Sequence, residues 1–199
     1  MLHEPYEPDK ARLVLREMAD LLSLDLVEKG LVTDQLVVTV GYDIENLKNP
    51  ERQKRYHGEI VRDHYGRRIP KHAHGTLNFG QYTSSTKQIM DAAAELFDRI
   101  VDENLLVRRL SITATHVIEE SSAASAKEDV GQLDLFTDYA ALEERRRQEE
   151  KELAREKKVQ QALLTIKKKY GKNAILKGMN LEEGATAKDR NRQIGGHQA

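Results

Sequence analysis

The 199-residue chain has no cysteine and no tryptophan, and its aromatic content is seven Tyr and three Phe. Without cysteine there is no disulfide framework, no thiolate nucleophile and no zinc ribbon, a composition that favours a reducing, cytoplasmic setting. No apolar run approaches the roughly 20 residues that cross a bilayer, and residues 1–20 lack the apolar stretch of a signal peptide. A soluble chain with no membrane partner is therefore expected. A preponderance of one charge is missing too: 32 Lys+Arg stand against 33 Asp+Glu, a formal net charge of -1. That sum does not exclude an anionic partner, because binding depends on where charges cluster. What is abundant is charge itself, at 33% of residues, with a mean hydropathy of -0.67. Such a chain does not spread its apolar residues evenly over one core, and a smaller core with a solvated appendage is expected.

Periodicity places the core in residues 1–120. From Pro8 to Glu28 the residues Ala11, Val14, Leu15, Met18, Leu22 and Leu26 recur on one helical face, between a Glu-Pro-Asp start and Gly30. Residues 34–42 alternate as a strand, with Leu36, Val38, Val40 and Tyr42 on one side and Val37, Thr39 and Gly41 on the other. A polar loop is expected over 44–57. Two extended runs then meet around Gly66, the second placing His72, His74, Thr76 and Asn78 on one face and Ala73, Gly75, Leu77 and Phe79 on the other. Thr83, Ser84 and Ser85 offer caps to a second amphipathic helix carrying Ile89, Met90, Ala93, Leu96, Phe97, Ile100 and Val101. A last strand over 105–118 faces Arg109, Ser111, Thr113 and Thr115 one way and Leu110, Ile112 and Ala114 the other. The fold class predicted is α+β: a two-layer sandwich of a mostly antiparallel sheet with two helices on one face, leaving the other face open and polar.

Beyond residue 120 the composition shifts. Residues 121–137 read as a linker interrupted by the apolar cluster QLDLF, 138–170 as a long solvated charged helix, and 171–199 as a poorly ordered, flexible tail.

Several groupings carry possible chemistry. Lys48, Arg52, Lys54, Arg55, Arg62, Arg67, Arg68 and Lys71 lie close together with four histidines, opposed by Glu51, Glu59 and Asp63, and Arg108 and Arg109 open the last strand nearby. Clustered cations beside a flat, donor-rich sheet face suit a phosphate backbone, whereas a solvated loop explains the cations alone. His64, His72 and His74 invite a metal reading, but no further convergent ligand is evident and they read as donors on a surface. Asp43 and Glu45 follow a strand as carboxylates in a magnesium site do, or as a turn cap does. Gln132, Leu133, Asp134, Leu135 and Phe136 form a peptide motif suited to an apolar groove on a partner.

The segments QLVVTVGYDIEN, YGRRIPKHAHGTLNFGQYTSSTKQIMDAAAELFDRIVD and NLLVRRLSITATHV together resemble the little-finger domain of a Y-family translesion DNA polymerase. The variety they resemble is carried as an ultraviolet-damage repair protein by Gram-positive bacteria. QLDLF is similar to the bacterial sliding-clamp-binding motif, and the final residues resemble the tail of the same subgroup. The resemblance implies contacts to the primer-template backbone from Thr39, Arg67, Arg68, Lys71, His72, His74, Thr76, Arg109, Ser111 and Thr113. It implies clamp contacts from Gln132, Leu133, Asp134, Leu135 and Phe136. It also implies a nucleoid-associated protein of the SOS response. The family's palm precedes this region, so the chain alone is expected to be neither an enzyme nor a cofactor binder, whereas a full-length parent would use Mg2+. A different class of protein stays open: an interaction module that docks a repair or replication partner through its tail without touching DNA.

Overall fold

In a computed structural model, which describes residues 1–125, 139–194 and 197–198, the first long element is helix α1 (Pro8–Lys29). Pro8 occupies its first turn, where the missing N–H costs nothing, and Gly30 ends it in the left-handed conformation, its N–H reaching the Leu26 and Val27 carbonyls. Strand β1 (Leu31–Tyr42) follows at once. Two short helices, α2 (Glu45–Lys48) and α3 (Pro50–Arg55), lead to a hairpin of β2 (Ile60–Arg62) and β3 (Arg68–Pro70). Strand β4 (Ala73–Thr83), helix α4 (Thr86–Ile100), strand β5 (Val107–Thr115) and the short β6 (Ile118–Glu119) complete the sheet. Helix α5 (Glu120–Ser125) and the 32-residue α6 (Tyr139–Tyr170) come next, then a 3-10 turn (Gly178–Leu181) and α7 (Ala187–Arg190).

The main sheet is antiparallel in the order β4-β1-β5, with β6 continuing along β1 beyond a bend at His116, whose φ is +51°. Strand β1 is central, and its period of two sorts the sheet. Leu36 lies between Leu77 and Ala114, and Val38 between Gly75 and Ile112. Val40 lies in the same way between Ala73 and Leu110. These residues face α1 and α4, which cover this side with Ala11, Val14, Leu15, Ile89, Ala93, Leu96 and Phe97. The two-layer α+β sandwich expected from the pattern is therefore the architecture found. The close approach of α4 needs Gly75: a Cβ there would sit 2.7 Å from Leu96 Cδ1 and 2.8 Å from Ile100 Cγ2. At the outer edge of β4, Arg99 Nη2 donates to the Thr76 carbonyl at 2.9 Å, occupying one acceptor that an edge strand otherwise presents.

Three stretches differ from the sequence reading. The polar loop over 44–57 contains α2 and α3, because the fully buried Asn46 side chain ties the Asp43 and Leu106 backbones together and Asn49 caps α3. The charged helix packs just past its middle: Glu156 accepts from Ser85 Oγ and the Lys87 N–H at the start of α4, Gln160 donates to the Ser84 carbonyl and Thr86 Oγ1, and Lys157 pairs with Glu120. Residues 143–155 are exposed throughout.

The segment from Lys177 to Arg190, for which the sequence shows no periodicity, folds back on α1 around the buried Glu17 carboxylate. Oε2 accepts from the Thr186 and Ala187 N–H groups, both at 2.9 Å, from Thr186 Oγ1 at 3.2 Å and from Arg190 Nη2 at 3.1 Å, while Oε1 accepts from Asn180 at 3.0 Å. Lys177 Nζ lies 2.6 Å from the buried Asp20 Oδ1, without hydrogen-bond alignment. Burial pulls the Arg190 guanidinium below its ordinary pKa against the opposing field of Glu17. Polar pairing, invisible to a search for apolar stripes, holds this segment.

Two stability measurements test the packing. Gly75→Ala overpacks the contact with α4 and is expected to lower unfolding stability by roughly 1–3 kcal/mol in a urea titration. An unchanged midpoint contradicts the close approach. Glu17→Ala leaves Arg190 and the Thr186 and Ala187 N–H groups without their acceptor, at a cost of about 3–5 kcal/mol. It is expected to make residues 171–194 the first site of limited proteolysis, and wild-type resistance there would remove Glu17 from this role.

Candidate nucleic-acid interface

The sheet face turned away from α1 and α4 is built in cross-strand rows. Gln35 is flanked by Asn78 and Thr115, Val37 by Thr76 and Thr113, and Thr39 by His74 and Ser111. Arg109 faces Gly41. Hydrogen bonds run along these rows: Gln35 Nε2 donates to Asn78 Oδ1 at 2.7 Å, Thr115 Oγ1 donates to Gln35 Oε1 at 2.7 Å, and Thr39 Oγ1 and His74 Nδ1 lie 3.0 Å apart. Such pairs fix rotamers in advance, so a ligand meets a face of oriented hydroxyl, amide and imidazole groups. His74, Thr76, Asn78, Arg109, Ser111 and Thr113 are exposed, and Thr39 and Thr115 are half-buried. A Cβ on Gly41 would stand 3.1 Å from the Arg109 Cβ, so glycine gives the arginine stem room beside β1.

Of the residues singled out in the sequence, Thr39, His74, Thr76, Arg109, Ser111 and Thr113 share this one face. Arg67, Arg68, Lys71 and His72 do not sit in its rows. They lie on the β2–β3 hairpin and its return to β4, at the end of the sheet where β1 finishes and β4 and β5 begin. There β3 packs against β1 and α2. Arg67 is bound at 2.7 Å to Asp63, whose half-buried carboxylate also accepts turn N–H groups, and Lys71 is bound at 2.6 Å to Glu59 in an exposed pair, weak in water and open to exchange for a phosphate. Arg68 and Arg109 form no salt bridge among the described residues.

Other expectations separate. Arg108 leaves the face: it is half-buried, donates to the His3 carbonyl at 3.0 Å and lies 3.6 Å from Asp43. Asp43 and Glu45 act as turn residues. Asp43 is buried and accepts the Glu45 N–H at 2.8 Å, while Glu45 turns outward to Lys48. His64, His72 and His74 do not converge; His64 packs edge-on against Tyr65 and His74 pairs with Thr39. Among the described residues no group of three His, Cys, Asp or Glu is placed to hold a metal ion. None of the described helices is long and apolar enough to cross a membrane. The residues Gln132, Leu133, Asp134, Leu135 and Phe136 lie outside the described residues.

Gln35 belongs to the face although the sequence reading began its alternation two residues later; extending the period of two by one step finds it.

Among curated proteins there is no match to the chain. A family model does match, described as the impB/mucB/samB family C-terminal domain, over residues 2–135. That span takes in the sheet, both covering helices and the hairpin. The chain belongs to this family: residues 2–135 form the domain that makes up the C-terminal region of Y-family translesion polymerases.

Proposed function

We propose that the chain is the DNA-binding and clamp-tethering part of a translesion polymerase, non-catalytic by itself. The observation that carries the DNA half is the arrangement of exposed Thr76, His74, Ser111, Thr113 and Arg109 on one flat face of a rigid sheet. Hydroxyl and imidazole groups donate to phosphate oxygens at any sequence, so this set favours backbone contact over base readout. Arg67, Arg68, Lys71 and His72, at the end of the same sheet, extend the phosphate-binding surface. The domain would hold damaged primer-template while the catalytic part of a parent enzyme works on it.

Support for the clamp half is the sequence Gln132-Leu133-Asp134-Leu135-Phe136, which places three large apolar side chains in a polar stretch. Docked in a groove of the sliding clamp, the motif would raise the local concentration of the polymerase at the replication fork without adding contacts at the catalytic centre. The exposed charged stretch of α6 offers a surface for a further repair partner. Such a protein would work at the nucleoid in the damage response.

The competing reading, an interaction module that does not touch DNA, is favoured by the ion pairs that occupy Arg67 and Lys71, and a salt titration decides between them. Duplex affinity is expected to fall steeply between 50 and 200 mM salt (roughly tenfold or more), and hardly to depend on base sequence. Arg68→Ala and Arg109→Ala are each expected to reduce the slope of log K against log salt by about 1. Affinity that does not change with salt rejects the phosphate reading. For the motif, Leu135→Ala/Phe136→Ala is expected to abolish clamp association in a pull-down with purified clamp while DNA affinity persists, and retained association rejects it.

A further inference from the structure

We propose that the tip of the β2–β3 hairpin is a stacking site for an unpaired nucleobase, with Tyr65 as the platform. The inference rests on the DNA reading above and adds a ligand: single-stranded nucleic acid next to the duplex.

Tyr65 is 78% exposed, in a chain with only seven tyrosines, three phenylalanines and no tryptophan. The hairpin does not need the ring. Its turn is closed by Gly66 N–H to the Asp63 carbonyl and Asp63 N–H to the Arg67 carbonyl, both at 2.9 Å. The Asp63 carboxylate adds three acceptor contacts, to the Tyr65 N–H at 2.9 Å, the Arg67 N–H at 2.9 Å and Arg67 Nε at 2.7 Å. Gly66 takes the left-handed position at φ +74°. These bonds fix the backbone on both sides of Tyr65, so little ordering remains to be done when a ligand arrives.

The surroundings of the ring suit a base. His64 touches it edge-on, with centroids 5.4 Å apart and planes at 72°. The Arg67 guanidinium carbon lies 5.0 Å from the ring centroid, over one face. With an exposure of 78%, the ring still offers contact area to a ligand. Every nucleobase presents a π face, and only one not already stacked in a duplex slides onto such a platform without first being unstacked. Arg62 and Arg68 face each other across the hairpin and are both exposed, which puts cations near the tip for the phosphates of the strand that carries the base. The sheet rows and the hairpin tip thus divide the work: hydroxyls and Arg109 for duplex backbone, Tyr65 for the strand that leaves it.

The test uses the full chain and three labelled DNAs in fluorescence anisotropy: a blunt duplex, the same duplex with a single-stranded 5′ extension, and one whose extension is abasic. Tyr65→Ala is expected to weaken binding to the base-bearing extension by about 5- to 100-fold, leaving the other two DNAs unchanged. Tyr65→Phe is expected to restore affinity. Tyr65→Trp would be the chain's only tryptophan, and its fluorescence should be quenched by the base-bearing extension alone. Equal losses on all three DNAs, or no loss on the extension, overturn the stacking site. If wild-type protein binds the blunt duplex in a salt-dependent way and Tyr65→Ala changes nothing, only this inference fails. If it binds none of the three, the DNA reading fails with it.

Discussion

Strand β1 is paired on both sides, and that double pairing constrains the rest of the domain. Once Val38 is held between Gly75 and Ile112, the neighbouring residues Val37 and Thr39 must project the other way, each between partners set by the same register. The apolar face and the polar face are one decision made by the ladder. A slip of one residue on β4 would put His74 or Thr76 under Leu96 and lift Leu77 into water, so the cost of losing the core protects the composition of the outer face. Gly75 reinforces this, since it is the residue in β4 beside which α4 packs too closely for a side chain.

Helix α1 is loaded from two directions by different forces. Towards the sheet it presents Ala11, Val14 and Leu15, whose burial is non-directional. Towards the C-terminal segment it presents Glu17, whose carboxylate is satisfied by a specific set of donors, and Asp20, which meets Lys177 as an ion pair. Ser23 joins a third contact, its hydroxyl 2.7 Å from that of Thr86, which in turn receives Gln160 from α6. A hydrophobic surface accepts many partners of the right size, but a buried carboxylate left without donors is costly. The polar mount therefore selects one placement of the segment. All of these contacts lie on the helical side, away from the open sheet face.

Features generated by simple periodicity were legible in the sequence. The two covering helices, the central strand, the two faces of β4 and β5 and the stop at Gly30 all follow from spacings of two, three or four residues. Six of the proposed DNA contacts lie on the face expected of them for the same reason. What escaped reading depends on single side chains acting across long separations. Asn46 bridging to Leu106, Glu156 capping α4 and Glu17 receiving α7 each join residues about 60 to 170 positions apart, and a polar residue carries no mark of its distant partner. Arg108 and Arg109 show the limit at the smallest scale. They are adjacent and chemically identical, yet alternation sends one into the edge contact with Asp43 and His3 and the other onto the open face.

The Lys157–Glu120 pair, together with the capping of α4 by Glu156, brings the chain back to where it left the sheet. Glu120 and Glu156 are therefore held on the same body although 35 residues separate them. Cleavage between these two positions would leave both portions attached, one through β6 and the other through α6 and the Glu17 mount. Mechanical load applied there would be divided between β6, which passes it to β1, and α6, which passes it to the start of α4.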